Sequence, residues 1–256
     1  MNASVDDAAQ DGFAYRLGWG LDGLRSLSPG CAVIVVVDVL RFTTAVCAAL
    51  EAGATVLPFR WADDRAAAYA DEHGAILAGR REDGRPSLSP TDLLQLDAGT
   101  RLVLPSPNGS TIAFEAARSG VEVVLAGSFR NATATARYAL TIADGRPIGV
   151  VAAGERWDHT PDLRPCVEDL LGAGAVLRAL DPSGAVSAPR CSPEARAARA
   201  AFADARPMLR DAIADGASGR ELARIGFADD VDTAAAYDAA TLVARLDATE
   251  FVPVVR

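Results

Sequence analysis

The sequence predicts an α/β fold with a mostly parallel central sheet and a helical C-terminal portion. The first observation is the run CAVIVVV at residues 31–37, which is typical of a central strand buried on both faces. The second is that short apolar stretches alternate with helical ones as far as residue 152, which indicates right-handed βαβ units. From Glu168 onward the pattern changes to consecutive helices, followed by one terminal strand.

The predicted elements are short, and glycine, proline or polar turn residues bound them. Strands are expected at residues 14–19, 31–37, 56–58, 76–78, 102–104, 121–126, 148–152 and 251–255. Helices are expected at residues 43–52, 62–73, 111–119, 131–142, 168–180, 194–205, 208–215, 218–224 and 234–245, and a helix or a turn at residues 20–27. No repeat or flexible linker demands a division, so we expect one domain over residues 1–256, with residues 1–12 as a disordered tail.

The charge pattern excludes several classes of function. The chain carries a net charge of −9, and all 25 of its cationic residues are arginine, which rules out a lysine Schiff base or a phosphate-loop lysine. No basic run is present, which argues against a nucleic-acid partner. No apolar stretch reaches the length of roughly 18 residues that a membrane span needs, and the polar start is unlike a signal peptide. The four cysteines are scattered without a C-x-x-C pair, so reduced thiols and a cytoplasmic location are expected.

The residues directly after each strand are the candidates for chemistry, because ligands of open α/β sheets bind at the carboxyl ends of the strands. Asp38 follows the most apolar strand, where a carboxylate needs a metal, an arginine or amide donors. Arg41 can pair with Asp38 or bind an oxyanion in bidentate fashion. Thr43 and Thr44 open the next helix, and one of them is alternatively a simple N-cap.

Three further strand ends carry groups suited to an anion. Residues 106–111 read Ser-Pro-Asn-Gly-Ser-Thr, which places backbone amides at a helix N-terminus, although a tight turn with a cap explains them equally well. Ser128, Arg130 and Asn131 follow the strand at 121–126. Arg80 and Arg81 follow the strand at 76–78, as an oxyanion grip or as a solvated charge run.

Carboxylates follow the strand at 148–152. Glu155 lies directly after it, and Glu168 and Asp169 begin the next helix, where the helix dipole alone favours acidic residues. Alternatively, these three join Asp38 around one divalent cation, and hard carboxylate oxygens without histidine suit Mg²⁺. Residues 229–250 hold six more carboxylates against one arginine, and we expect them to form a solvated face.

Taken together, these segments resemble a known family. Five motifs occur in order: Val37-Asp38-Val39-Leu40-Arg41-x-Thr43-Thr44, Pro107-Asn108-Gly109-Ser110-Thr111, Gly127-Ser128-x-x-Asn131-Ala132, Ala153-Gly154-Glu155 with Glu168-Asp169, and Gly226-Phe227-x-Asp229. This set is similar to that of the 2-phosphosulfolactate phosphatases, magnesium-dependent hydrolases of coenzyme M biosynthesis. The similarity covers nearly the whole chain after about residue 14.

The resemblance implies a three-layer α/β/α fold that binds Mg²⁺ and hydrolyses a phosphate monoester of a small sulfonate-bearing acid. The catalytic residues are then expected to be Asp38, Arg41 and Glu155, and the metal ligands Asp38, Glu155, Glu168 and Asp169. The substrate-binding residues are expected to be Thr43, Thr44, Arg80, Arg81, Ser106, Asn108, Gly109, Ser110, Thr111, Ser128 and Asn131. Three departures fall in the substrate region: Gly79-Arg80-Arg81 replaces Gly-Glu-Arg, Ser87-Leu88-Ser89-Pro90 replaces Gly-Asn-Ser-Pro, and Ser106-Pro107-Asn108-Gly109-Ser110 replaces Thr-Thr-Asn-Gly-Thr.

The leading hypothesis is a Mg²⁺-dependent phosphatase whose partner is a small anionic phosphomonoester, 2-phosphosulfolactate or a related phospho-acid. Water positioned by a carboxylate is the expected nucleophile, and an aspartyl-phosphate at Asp38 stays open. The alternative hypothesis is a non-catalytic binding protein for a phosphorylated or sulfonated metabolite, and a third is a phosphotransferase. The apolar content and the family resemblance are compatible with a homodimer.

Overall fold

Nine strands form one sheet in the computed structural model, which describes residues 7–60, 63–80, 84–183 and 190–254. In these ranges the sheet strands are β1 Tyr15–Trp19, β2 Val33–Val37, β3 Thr55–Phe59, β4 Ile76–Leu77, β5 Arg101–Pro105, β6 Val123–Gly127, β7 Ile148–Ala152, β10 Val243–Asp247 and β11 Glu250–Val254. A separate two-stranded hairpin consists of β8 Glu155–Arg156 and β9 Leu163–Arg164. The α/β class with a mostly parallel sheet is confirmed.

Helices follow most of the strands, and six of them precede the helical C-terminal region. These six are α1 Gly20–Leu27, α2 Phe42–Glu51, α3 Asp64–Glu72, α4 Pro90–Leu93, α5 Gly109–Arg118 and α6 Ala132–Ala143. The C-terminal region adds α7 Val167–Leu180, α8 Pro193–Ala205, α9 Leu209–Ala214, α10 Ala217–Arg224 and α11 Ala228–Ala235. Short 3-10 helices lie at Asp7–Ala9, Ser28–Gly30 and Arg206–Met208.

The predicted helix at residues 234–245 is wrong. Helix α11 ends at Ala235, Asp238 adopts a positive φ of 51°, and the chain then enters β10. An alanine-rich composition favours a helix locally, but Val243 and Ala244 are buried in the sheet, where β10 pairs with β6 and β11. Tertiary pairing therefore overrides the local propensity in this segment.

Two parallel groups of strands make up the sheet, whose order is β1-β7-β2-β6-β10-β11-β3-β5-β4. Three successive antiparallel pairings, β6 with β10, β10 with β11 and β11 with β3, reverse the second group relative to the first. Helix α5, which follows β5, packs across β3, β6 and β2 and shares an apolar core with Ile34 and Val36 of β2. This packing brings the start of α5 to the carboxyl end of β2.

The central strand β2 is buried on both faces, as its sequence predicts. Val33, Val35 and Val37 belong to an apolar core that also contains residues of α6, α7 and α8. Ile34 and Val36 point to the opposite face, into a second core with residues of α1, α2 and α5. Helices thus cover both faces of β2, and the functional groups are left at its carboxyl end.

Residues of the predicted N-terminal tail contact strand β1. Gln10 exchanges hydrogen bonds with the backbone of Leu17 in β1, through Nε2 at 2.6 Å and Oε1 at 3.0 Å. Arg16 adds an ion pair of 2.9 Å to Asp11. Within the part of the chain that the structure describes, no helix is long and apolar enough to cross a membrane.

Candidate active site

Asp38 lies at the carboxyl end of β2 and joins two helix N-termini. Its side chain is buried, with Oδ1 accepting from the amide of Phe42 at 3.1 Å and Oδ2 from the amide of Gly109 at 2.9 Å. Burial raises the pKa of Asp38 to about 7; the two amides oppose this rise, and Glu155 and Glu168 add to it. The sequence-predicted carboxylate is therefore held by amide donors at the place where α2 and α5 begin.

Gly109 is required for this contact. A Cβ atom at residue 109 would lie 2.4 Å from Cδ1 of Phe42 and 2.6 Å from Oδ2 of Asp38. Any other residue would push α5 away from Asp38. The Asn-Gly turn predicted from the sequence thus allows a close backbone approach at the site.

Asp169 makes a second, parallel link between strand ends. Its Oδ1 accepts from the amide of Val39 at 2.7 Å and its Oδ2 from the amide of Gly154 at 2.8 Å, which ties the loop after β2 to the loop after β7. Burial raises the pKa of Asp169 well above its usual range, and the charges of Asp38 and Glu168 raise it further. Two buried carboxylates therefore stand close together at this edge of the sheet.

Glu155 and Glu168 complete the predicted acidic group. Oε1 of Glu155 accepts from Nδ2 of Asn108 and from the amide of Arg156, both at 2.8 Å. Glu168 is 2% exposed, and no described residue forms a hydrogen bond with its carboxylate. Among the described residues, no three or more acidic, cysteine or histidine side chains are arranged to hold a metal ion by themselves.

Arg41 is held by a carboxylate that the sequence did not indicate. Its Nη1 donates to Oδ2 of Asp230 at 2.9 Å, and its guanidinium carbon lies 4.5 Å from the centre of the Phe227 ring. Asp230 is fully buried and also accepts from Oγ of Ser89. The expectation that the acidic residues 229–250 form a solvated face is wrong for Asp230. The only local signal was its place in the first turn of a helix beside apolar Val231.

Several predicted substrate-binding residues lie at this edge, but their side chains bond to the backbone of their own loops. Thr43 Oγ1 donates to Asp38 O at 2.8 Å, Thr44 Oγ1 to Val39 O at 2.7 Å, and Ser110 Oγ to Leu104 O at 3.1 Å. All three of these hydroxyl-bearing residues are fully buried. They shape the loops that present the backbone amides.

The loop after β6 is closed in the same way. Oδ1 of Asn131 accepts from the amide of Ser128 at 2.9 Å and from its hydroxyl at 3.1 Å. Arg130 points away from this loop to Glu51, with Nε at 3.0 Å and Nη2 at 2.8 Å from Oε2. Ser128 and Asn131 are fully buried, so their hydrogen bonds stabilise the turn at the end of β6.

A cleft of about 300 Å³ opens beside the acidic group. Asn108, Thr111 and Glu155 line it together with Arg25 and Arg156. Ser106 is buried nearby in the turn that follows β5, and its amide donates to the carbonyl of Phe59 at 3.0 Å.

Arg80 lies elsewhere, on a separate cleft of about 380 Å³ beside Asp63 and Leu88. Arg81 lies outside the described residues.

A known protein family matches most of this chain. The model of the family described as 2-phosphosulpholactate phosphatase matches residues 24–249, which hold all four predicted metal-ligand carboxylates and Asp230. The chain belongs to the 2-phosphosulfolactate phosphatase family. Its match thus spans the sheet strands from β2 to β10 and all of the helices after α1.

Three curated relatives bear the family's name. A probable 2-phosphosulfolactate phosphatase of Deinococcus radiodurans is 32% identical over 86% of this chain and 90% of the relative. Another from Thermus thermophilus is 33% identical over 78% of this chain and 81% of the relative. The 2-phosphosulfolactate phosphatase of Methanothermobacter thermautotrophicus is 30% identical over 79% and 81%. The similarity to the 2-phosphosulfolactate phosphatases therefore extends over most of both chains.

Proposed function

We propose that this chain is a Mg²⁺-dependent phosphatase that hydrolyses 2-phosphosulfolactate, or a closely related phospho-acid, to the hydroxy acid and phosphate. Membership of the family and the names of the relatives support the reaction. The observation that carries the proposal is the contact between Asp38 and the first amide of α5, because it brings a buried carboxylate group to a helix N-terminus. Carboxylates attract a cation and free helix amides attract phosphoryl oxygens, so both needs of phosphoryl transfer are met in one place.

The acidic group fits Mg²⁺ in the form that this ion often takes at phosphate sites, with one or two carboxylates and the remaining positions filled by water and phosphate oxygens. Asp38 and Asp169 already use both oxygens for amides, whereas Glu168 and Oε2 of Glu155 have no hydrogen-bond donor among the described residues. Glu168 would therefore hold the ion, Oε2 of Glu155 would stay available to the attacking water, and Asp38 and Asp169 would lend negative charge. When bound, Mg²⁺ neutralises charge on the phosphoryl oxygens and favours attack at phosphorus.

The anion-binding groups are the α5 amides and Arg41. The amides of Ser110 and Thr111 have no acceptor among the described residues, as expected for the first turn of a helix. They would donate to the phosphoryl oxygens, with the positive end of the helix dipole behind them. Arg41 would bind a further oxygen and offset the charge that develops there.

The hydrogen bonds of Asp38 and Glu155 favour water, and not Asp38, as the nucleophile. Both oxygens of Asp38 accept backbone amides, which lowers their nucleophilicity and fixes them in place. Glu155 lines the cleft, and Asn108 holds its Oε1. Oε2 of Glu155 would thus orient the attacking water and accept its proton.

Phosphate release from 2-phosphosulfolactate, phospholactate and phosphoglycerate, each with Mg²⁺ and with a chelator, tests the proposal. We expect turnover only with Mg²⁺, and the highest kcat/KM for the sulfonate substrate. Asp38→Asn is expected to abolish turnover while the circular dichroism spectrum is kept. Chelator-resistant turnover, or wild-type turnover by Asp38→Asn, contradicts the assignment of the site.

The same assay separates the two other hypotheses. Ligand-induced thermal stabilisation without phosphate release from any of the three compounds would identify a binding protein. Phosphate recovered on an added acceptor alcohol, instead of free in solution, would identify a phosphotransferase.

A further inference from the structure

Asp230 is a fully buried carboxylate that lies 189 residues from its partner Arg41 in sequence. We propose that Asp230 is a positioning residue that fixes the Arg41 guanidinium for binding the phosphoryl group. This inference rests on the function proposed above. It assigns a role to helix α11, which otherwise lies outside the chemistry at the strand ends.

Both oxygens of Asp230 are used, and each by a different segment of the chain. Oδ2 accepts from Nη1 of Arg41 at 2.9 Å, and Oδ1 accepts from the hydroxyl of Ser89. Ser89 is itself fully buried at the N-terminus of α4. Because the carboxylate is held from both sides, it cannot rotate without breaking one of these bonds.

The guanidinium of Arg41 is held on one edge and one face and is open elsewhere. Phe227 covers a face at 4.5 Å, and Asp230 takes one nitrogen. A guanidinium carries five N–H donors, and among the described residues no second acceptor reaches Arg41. Its side chain is 17% exposed, so the remaining donors can meet a ligand.

The arrangement is better suited to positioning than to stability. A buried ion pair gains little net stability, because desolvation of the two charges offsets their attraction. It does remove rotamers from the long arginine side chain before the ligand arrives, which lowers the entropic cost of binding an anion. Arg41 lies three residues after Asp38 in the sequence, in the loop at the carboxyl end of β2.

A double-mutant cycle on the full chain tests this coupling. The variants are Arg41→Met, Asp230→Asn and the double variant, with Asp229→Asn, an exposed neighbour on the same helix, as the matched control. Calorimetry measures the Kd of inorganic phosphate, and phosphate release from 2-phosphosulfolactate measures kcat and KM. Melting temperatures report the fold of every variant.

We expect Arg41→Met and Asp230→Asn each to weaken phosphate binding roughly tenfold or more. The double variant should be no weaker than Arg41→Met alone, because Asp230 acts only through Arg41. Asp229→Asn should stay within about twofold of the wild type. Losses that multiply in the double variant, wild-type affinity in Asp230→Asn, or a wild-type chain that binds no phosphate would each overturn the proposal.

The calorimetric readout keeps this inference separate from the proposed reaction. A wild-type chain that binds phosphate but turns over no substrate removes the phosphatase proposal, and the cycle still decides the role of Asp230. If Asp230→Asn fails to melt cooperatively, Ser89→Ala takes its place, since it frees one carboxylate oxygen and keeps the ion pair. Ser89→Ala is then expected to weaken phosphate binding several-fold, and wild-type affinity in that variant overturns the proposal.

Discussion

The amide of Gly109 donates to Oδ2 of Asp38 at 2.9 Å, and this bond links the ends of two strands, β5 and β2, that run in opposite directions in the sheet. Asp38 follows β2, whereas Gly109 opens the helix after β5. They meet because helix α5 packs across β3, β6 and β2. The proposed catalytic carboxylate and the proposed anion-binding amides are therefore brought together by the packing of the whole sheet and by no single motif.

Gly109→Ala should break this contact. Its Cβ atom would lie 2.4 Å from Phe42 and 2.6 Å from the Asp38 carboxylate, and helix α5 cannot retreat without disturbing the core behind it. We expect a loss of about 1–3 kcal/mol in the free energy of unfolding, and a loss of phosphate release well beyond what that destabilisation explains. Urea denaturation and kcat/KM measure the two effects.

Gly120→Ala is the matched control, because Gly120 lies just beyond the other end of α5. Its positive φ of 86° makes alanine unfavourable, but nothing lies within 4 Å of the added Cβ. It should cost about 1 kcal/mol or more of stability and leave kcat/KM close to wild type. Equal losses of activity in both variants would mean that the Asp38–Gly109 contact has no special role.

The buried Asp38 predicts how stability depends on pH in the absence of Mg²⁺. Its pKa rises from an ordinary value of 3.8 to about 7 in the folded state, so the folded protein binds a proton that the unfolded chain releases. This contribution to stability is fully present below about pH 4 and is lost as the pH rises through about 7, at up to about 1.4 kcal/mol per pH unit. Asp169 changes stability in the same direction.

Urea denaturation of the wild type and of Asp38→Asn between pH 4 and 8 isolates the effect of this carboxyl, since all other groups are shared. We expect the advantage of the wild type to shrink as the pH rises, and Mg²⁺ to reduce that dependence because a nearby cation favours the ionised carboxylates. A difference between the two proteins that does not change with pH would show that Asp38 is ionised across the range.

Local sequence signals predicted those parts of the site that depend on strand ends. A carboxylate after the run VIVVV and an Asn-Gly turn before a helix each have a short-range physical meaning, and the structure brings Asp38 and Gly109 together. Asp230 could not be predicted, because its burial depends on Arg41 and Ser89, 189 and 141 residues away. Strand β10 was missed for the same reason, since its pairing with β6 decides between strand and helix.

The role of Arg130 could not be predicted from local sequence either, and its contacts lead to a further prediction. It follows β6 with a hydroxyl and an amide residue, as an oxyanion-binding arginine would, yet its Nε and Nη2 donate to Glu51 and its Nη1 to the carbonyl of Thr233 at 3.0 Å. Arg130→Met would leave the partly exposed Glu51 carboxylate and the Thr233 carbonyl without their donor and should cost about 1–2 kcal/mol of stability, with KM unchanged within about twofold. Arg65→Met, which removes an exposed ion pair with Asp63, is the control and should hardly change the unfolding curve. A selective rise in KM for Arg130→Met would instead show that Arg130 contributes to substrate binding.

The four cysteines provide a test of the core packing that is independent of the active site. All four are buried free thiols, and burial raises the pKa of Cys31 to about 11 and those of Cys47 and Cys166 to about 12, with Cys191 shifted in the same direction. The thiolate is the reactive form, so the native protein should react with a thiol reagent at pH 8 only as fast as it opens. When denaturant is added, all four thiols should react with the reagent in a single rapid phase. A thiol that reacts fast in the native state would show that the helix or strand carrying it opens locally at low cost, and mass spectrometry of the labelled peptides would name it.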